Sequence, residues 1–208
     1  MWRAVLAAVN DYLGQGMGAY DITDEQVLEI FESKVEQMAI GTNGEPLSSV
    51  LAEDIDMAKE RKKPVAERSL PVFKYTNDGK SFYILSVRGN GLWDEIWGNI
   101  ALESDLNTIA GASFDHKGET PGLGAEIKDN PGFPAMFADT QIFKDGKFVS
   151  VKVRKGGAVD KTYEVDGISG ATVTSDGVTK MLYDGLSLYL PYLEKERQAS
   201  SAQGMLIQ

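Results

Sequence analysis

The run Leu70-Pro71-Val72-Phe73-Lys74-Tyr75-Thr76-Asn77-Asp78-Gly79-Lys80-Ser81-Phe82-Tyr83-Ile84-Leu85-Ser86-Val87-Arg88 decides the fold. Apolar and aromatic residues fill 70–76 and 81–88, and the Asp-Gly pair between them is the composition of a tight hairpin turn. Two antiparallel strands are predicted there. Downstream, 100–103 and 108–114 read as strands. Lys144-Asp145-Gly146 reads as a second hairpin turn joining 141–143 to 147–153, and 163–165 as one more short strand. Residues 131–138 are expected to form a short helix.

Before the hairpin the period is helical. Trp2, Val5, Leu6, Val9, Tyr12 and Leu13 follow it until Gly14, Gly16 and Gly18 stop it. Thr23-Asp24-Glu25-Gln26 has the form of a capping box, opening a helix with Val27, Ile30, Phe31, Val35 and Met38 on one face. Residues 50–62 read as a short surface helix ending at Pro64. After the strands, Ser175-Asp176 is expected to cap a helix carrying Val178, Met181, Leu182 and Tyr189, with Pro191 kinking or ending it. The order of helices, antiparallel strands and helix predicts an α+β fold, an antiparallel sheet with hairpins flanked by helices. Three regions are expected: an N-terminal helical region over 1–66, a ligand-binding domain over 67–198 and a flexible polar tail over 199–208.

Composition narrows the chemistry. The 208 residues carry 21 Lys and Arg against 31 Asp and Glu, a net charge of −10, and no basic stripe, which argues against a nucleic-acid partner. Cysteine is absent and the one histidine is His116. Thiolate metal sites, iron–sulfur clusters and cysteine nucleophiles are therefore excluded, and any redox chemistry must be carried by an organic cofactor. His116 is expected to be an exposed loop residue. No apolar run approaches the roughly 18 residues that a membrane-spanning helix needs.

Three segments concentrate small residues, hydroxyls and aromatics. In Gly89-Asn90-Gly91-Leu92-Trp93-Asp94-Glu95-Ile96-Trp97-Gly98, two tryptophans four apart either lay indole rings against a flat ligand or pack as core aromatics on a helical turn. In His116-Lys117-Gly118-Glu119-Thr120-Pro121-Gly122-Leu123-Gly124-Ala125-Glu126, a Pro-Gly turn precedes a glycine that permits close backbone approach. It is a ligand loop or a surface hairpin. Asp166-Gly167-Ile168-Ser169-Gly170-Ala171-Thr172-Val173-Thr174-Ser175 feeds a helix N-terminus, which makes it an anion site or simply a helix cap. It is neither a Walker loop nor a Rossmann fingerprint.

The stretch Asp166-Gly167-Ile168-Ser169-Gly170-Ala171-Thr172 resembles the D-x-x-[ST]-G-A-T signature at which a flavin transferase attaches FMN to threonine through a phosphoester. With the Gly-Leu-Trp and Glu-Thr-Pro-Gly-Leu-Gly segments in this order, residues 70–189 resemble the FMN-binding domain found in the C subunit of the Na⁺-translocating NADH:quinone oxidoreductases. The resemblance implies covalent FMN on Thr172, with Thr174 as the runner-up hydroxyl. It also implies Ser169, Gly170 and Ala171 around the phosphate, and Trp93, Glu119, Thr120, Leu123 and Gly124 lining the isoalloxazine and ribityl chain. Asp166 would be a recognition residue for the transferase, and charge alone makes Lys152 a candidate to screen the phosphate.

What the resemblance implies for function is a one-electron carrier subunit of the sodium-pumping oxidoreductase that does not itself turn over NADH. Its partners would be the other membrane subunits and, during maturation, the flavin transferase. It would face the periplasm at a bacterial inner membrane, tethered by an anchor helix that is not among these residues. The equivalent subunit of an Rnf-type electron transport complex and a cofactor-free assembly module are the alternatives.

Overall fold

The computed structural model describes residues 1–13 and 18–205, with side chains through residue 199. Gly14 and Gly16, the expected helix stops, and the end of the expected tail lie outside the described residues. The N-terminal helix α1 (Trp2–Ala7) is followed by a 3₁₀ turn over Asn10–Tyr12 and by α2 (Asp24–Lys34). Both halves of the capping box form: the Thr23 hydroxyl accepts from the Gln26 amide at 3.2 Å, and the Gln26 side chain accepts from the Thr23 amide at 2.9 Å.

The expected helical face does not reach Val35 and Met38. The helix ends at Lys34, and β1 (Val35–Gly41) pairs antiparallel along its whole length with β2 (Ser69–Asn77), Val35 opposite Tyr75 and Gly41 opposite Ser69. Seven residues of sheet pairing outweigh the helical spacing of two side chains. The expected single surface helix over 50–62 is also divided. A 3₁₀ turn over Ala52–Asp54 is followed by α3 (Met57–Glu60), because Ile55 is buried in extended backbone and Asp56 caps a new turn through the amides of Ala58 and Lys59.

The central sheet is a five-stranded antiparallel meander completed by β3 (Lys80–Asn90), β4 (Glu95–Leu102) and β5 (Ile109–His116), in the order β1-β2-β3-β4-β5. The β2–β3 hairpin closes on Asp78 (φ 49°) and Gly79 (φ 77°), the positive-φ pair that matches strand twist. Alternation along the strands builds two cores. Phe73, Tyr75, Phe82 and Ile84 pack against α1 and α2, whereas Val72, Leu85, Val87, Ile96, Ile100 and Phe114 face the other way.

Short helices α4 (Glu126–Asp129) and α5 (Gly132–Ala135) follow, then the two-residue strands β6 (Phe143–Lys144) and β7 (Lys147–Phe148) around Asp145-Gly146. The expected strand over 147–153 is broken at Ser150 (φ 60°), where the amides of Val149 and Ser150 both donate to the Ile142 carbonyl. Beyond the break, β8 (Lys152–Arg154) leaves the hairpin and pairs parallel with β9 (Glu164–Asp166).

Helix α6 (Thr172–Ser187) covers the second face of the sheet through buried Val178, Met181, Leu182 and Leu186, and α7 (Leu190–Met205) continues beyond the Pro191 region. Two helix glycines bring α6 onto β3. A Cβ at Gly177 would lie 2.4 Å from the Asn90 carbonyl oxygen, and one at Gly185 would lie 2.7 Å from Val87 Cγ1. The helix starts at Thr172, three residues before the expected cap. The Ser175 amide already donates to the Ala171 carbonyl, and the Ser175 hydroxyl accepts from the Ile168 amide at 3.2 Å. Among the described residues, no helix is long and apolar enough to cross a membrane.

Candidate functional site

The three glycine-rich segments, separated in sequence, meet at one carboxylate. Glu119 follows the end of β5 and is 5% exposed. Its Oε1 accepts from the amides of Trp93 (3.0 Å) and Asp94 (3.3 Å), and its Oε2 accepts from the amide of Leu92 (3.2 Å) and the hydroxyl of Thr174 (2.6 Å). One side chain thus ties the β3–β4 turn and the first turn of α6 to its own loop. Burial by itself would raise the Glu119 carboxyl. The Thr174 hydroxyl and the three amides outweigh it and hold the group below the usual carboxylate range.

The loop around Glu119 is shaped for this contact. The Leu123 amide donates to the Thr120 carbonyl at 2.9 Å across Pro121-Gly122, with Gly122 at φ 78°, the arrangement of a type II turn. Glu126 closes the loop from below by accepting from the amides of Gly122 and Gly124. Gly124 has φ 146°, and a Cβ there would lie 2.3 Å from Thr174 Oγ1 and 2.7 Å from Glu119 Oε2. Its close backbone approach is therefore to the protein's own buried hydroxyl and carboxylate. Gly91 is equally constrained, with a Cβ position 2.6 Å from Glu119 Oε1. The Gly170 turn (φ 83°) rests on the Gly122 turn, its Cβ position 2.8 Å from the Gly122 carbonyl oxygen.

The two candidate hydroxyls have opposite surroundings. Thr174 is fully buried and engaged by Glu119, with the Leu123 carbonyl a further 3.1 Å contact. Thr172, the first residue of α6, is half-buried, and its hydroxyl makes no hydrogen bond among the described residues. No side chain caps this helix end, whose residue Ala171 is buried, while Ser169 and Gly170 are more open. The first amides of α6 lack intrahelical acceptors, so the unengaged hydroxyl stands at a positive, uncapped helix terminus. In the loops that Glu119 joins to this helix end, Trp93 is 65% exposed and Leu123 is 39% exposed, with Thr120 also exposed, whereas Glu119, Gly124 and Thr174 are buried.

Other residues sit differently from their sequence readings. Trp97 does not join Trp93 on a loop or helical turn: it lies within β4, opposite Arg88, whose guanidinium stacks 4.6 Å from its ring. Strand pairing places residues four apart in separate surroundings here, because Trp93 belongs to the 91–94 turn. His116 is not an exposed loop residue. It ends β5, its Nδ1 accepts from the Glu119 amide at 3.1 Å, and its Nε2 is buried without a partner. Asp166 accepts from the Ala158 amide at 2.7 Å. Lys152 is exposed between buried Val151 and Val153, so it points away from the side of β8 that meets α6. The sequence reading missed Glu126, for which an acidic residue opening a short helix after two glycines was the available signal. Among the described residues, no group of acidic or imidazole side chains could hold a metal ion.

An FMN phosphate fits this arrangement: an unengaged hydroxyl is available for esterification, the helix terminus favours an anion, and the glycine turns keep the backbone slim beside it. The fold and site define an FMN-binding domain, and residues 91–187 match the FMN-binding domain family model. The crystal structure of the C subunit of the Na(+)-translocating NADH-quinone reductase from Parabacteroides distasonis superimposes with a TM-score of 0.80 at 38% identity, covering 92% of this chain and 90% of that one. Shewanella oneidensis NqrC gives a TM-score of 0.77 at 30% identity over 95% and 96% of the two chains. The same reductase's C subunit from Pseudomonas aeruginosa is 40% identical over 154 residues, 69% of this chain and 57% of its own length. That of Vibrio vulnificus is 43% identical over 123 residues, 58% and 48%. The chain belongs to this family, the C subunits of the Na⁺-translocating NADH-quinone reductases. It spans about half the length of the curated relatives it matches.

Proposed function

We propose that this chain is a one-electron carrier subunit of a Na⁺-translocating NADH:quinone oxidoreductase, holding FMN as a phosphoester on Thr172. The observation that carries the reading is the contrast between two threonines in one helical turn. Thr174 is buried on Glu119 at 2.6 Å, whereas Thr172 offers a half-buried hydroxyl with no hydrogen-bond partner among the described residues. When bound, FMN supplies electron acceptance and donation one electron at a time. The chain's residues do the rest. Thr172 Oγ1 would hold the phosphate as an ester, its hydroxyl proton and an oxygen of the phosphate leaving together as the elements of water, and the α6 terminus would favour the residual negative charge by about 0.3–1 kcal/mol. Ser169, Gly170 and Ala171 leave room beside the phosphate, and Trp93, Leu123 and Thr120 flank the ring system.

Glu119 and Gly124 act from buried positions: Glu119 fixes the three segments relative to one another, and Gly124 leaves space for the Thr174 hydroxyl. Exposed Trp93 and Leu123 suit a flavin edge open to a second redox group rather than a closed cleft for hydride transfer from NADH. On this reading the partners are the other membrane subunits of the complex, a flavin transferase acts during maturation, and the domain stands on the periplasmic side of the inner membrane.

Intact-protein mass spectrometry of chain co-expressed with a flavin transferase tests the proposal. Wild type is expected to gain the mass of one FMN less one water, Thr172→Ala to gain nothing, and Thr174→Val to keep the adduct. An adduct that persists in Thr172→Ala overturns the assignment.

A further inference from the structure

A pocket apart from the threonine site collects positive charge in a chain of net charge −10. It is a cavity of about 300 Å³ between β3, α3 and the flank of α6 that meets β3, lined by Arg61, Arg68, Arg88 and Lys180 together with Asn90 and Gly177. Two carboxylates reach these four cations. Glu95 meets Arg88 at 2.6 Å and Arg61 at 3.6 Å, and Asp184 meets Lys180 at 2.6 Å. Two positive charges are left over.

The guanidinium groups are also short of acceptors. Arg61 spends one nitrogen, Nη1, on the Gly89 carbonyl and the Asn90 side chain. Arg68 donates from Nε and Nη2 to the carbonyls of Lys63 and Arg61, which leaves its Nη1 unused. Among the described residues Arg88 Nε is buried without a hydrogen-bond acceptor, in a guanidinium that lies 4.6 Å from the Trp97 ring. A buried donor without an acceptor costs free energy that a ligand oxygen would recover, and guanidinium forks match tetrahedral oxyanions bidentately. Backbone carbonyls and the Glu95 carboxylate already hold the arginines in place, so little of their side-chain entropy is lost on binding.

We propose that this pocket binds a phosphate group, carried either by an anionic lipid headgroup or by a soluble phosphorylated compound. Gly177 on its wall lies five residues along α6 from Thr172, about 8 Å in helix rise, so the bound anion is a neighbour of the flavin site without sharing its residues. The proposal does not depend on FMN attachment.

The test follows the Arg Nε–H resonances of the 208-residue chain by NMR during titration with inorganic phosphate at low ionic strength. The Arg88 resonance is expected to shift saturably, with affinity falling as salt is added. Arg61→Gln and Arg68→Gln are each expected to weaken binding about tenfold, the scale of one charge-assisted hydrogen bond. Lys180→Gln, whose side chain is 77% exposed, should weaken it by a smaller factor and keeps the test decisive if an arginine variant fails to fold. Co-sedimentation with phosphatidylglycerol vesicles but not phosphatidylcholine vesicles, lost in Arg68→Gln, assigns the headgroup source. Phosphate binding without co-sedimentation assigns the soluble source. A linear, non-saturating shift, or equal affinity in wild type and the variants, overturns the proposal.

Discussion

Thr172 and Thr174 share a residue type and one turn of helix, yet they belong to different parts of the molecule. Thr174 is part of a buried floor in which Glu119 receives four donors and Gly124 is excluded from carrying a side chain. Thr172 opens α6 half-buried, and Trp93, Leu123 and Ser169, in the loops that meet this helix end, are exposed. The difference separates two tasks. The floor fixes geometry and should respond to substitution in stability. On the proposed function this exposed rim meets ligand, and it should respond in flavin content and flavin properties.

The largest expected effect that would break this division is at the rim. Thr172→Ala should lose all covalent flavin while its thermal midpoint stays close to that of wild-type chain prepared without flavin, as read by in-gel flavin fluorescence and calorimetry. At the floor, Gly124→Ala should destabilise by about 3 kcal/mol or more in denaturant unfolding. Its Cβ would meet both Thr174 Oγ1 and Glu119 Oε2 on a backbone with φ 146°. Thr174→Val and Glu119→Gln should each cost about 1.5–3 kcal/mol, the range for a lost hydrogen bond to a charged group, with Thr174→Val retaining its flavin.

Acid sharpens the comparison further. The folded-state carboxyl of Glu119 titrates below its ordinary value of 4.5, so its contribution is complete above that value and is lost as pH falls through the lowered native value. Thermal midpoints measured from about pH 6 down to about pH 3 should therefore fall more steeply for wild type than for Glu119→Gln. The smallest stability effect belongs to Trp93→Ala. This exposed side chain should change unfolding free energy by no more than about 0.5 kcal/mol while altering the flavin absorption band.

The sheet was legible where sequence and structure use the same local signal. Asp78-Gly79 and Asp145-Gly146 both turn with positive φ, and the capping box at Thr23 forms in full. What escaped was set by distant partners. Val35 and Met38 keep helical spacing but are captured by β2, and the strand expected over 147–153 is divided at Ser150 because β8 finds β9 instead. The three site segments could be picked out by composition, since glycines and hydroxyls gather there without a packing reason. Their junction could not. The four hydrogen bonds of Glu119 have no signature in spacing, because their donors come from two stretches, 92–94 and Thr174, that lie far from it in the chain.

The most direct measurement is fragmentation of the tryptic peptide 162–180, which contains both threonines, from chain matured in the presence of a flavin transferase. The account predicts FMN on Thr172 and an unmodified Thr174. Flavin on Thr174, or a fully matured peptide with no flavin on either residue, would contradict it.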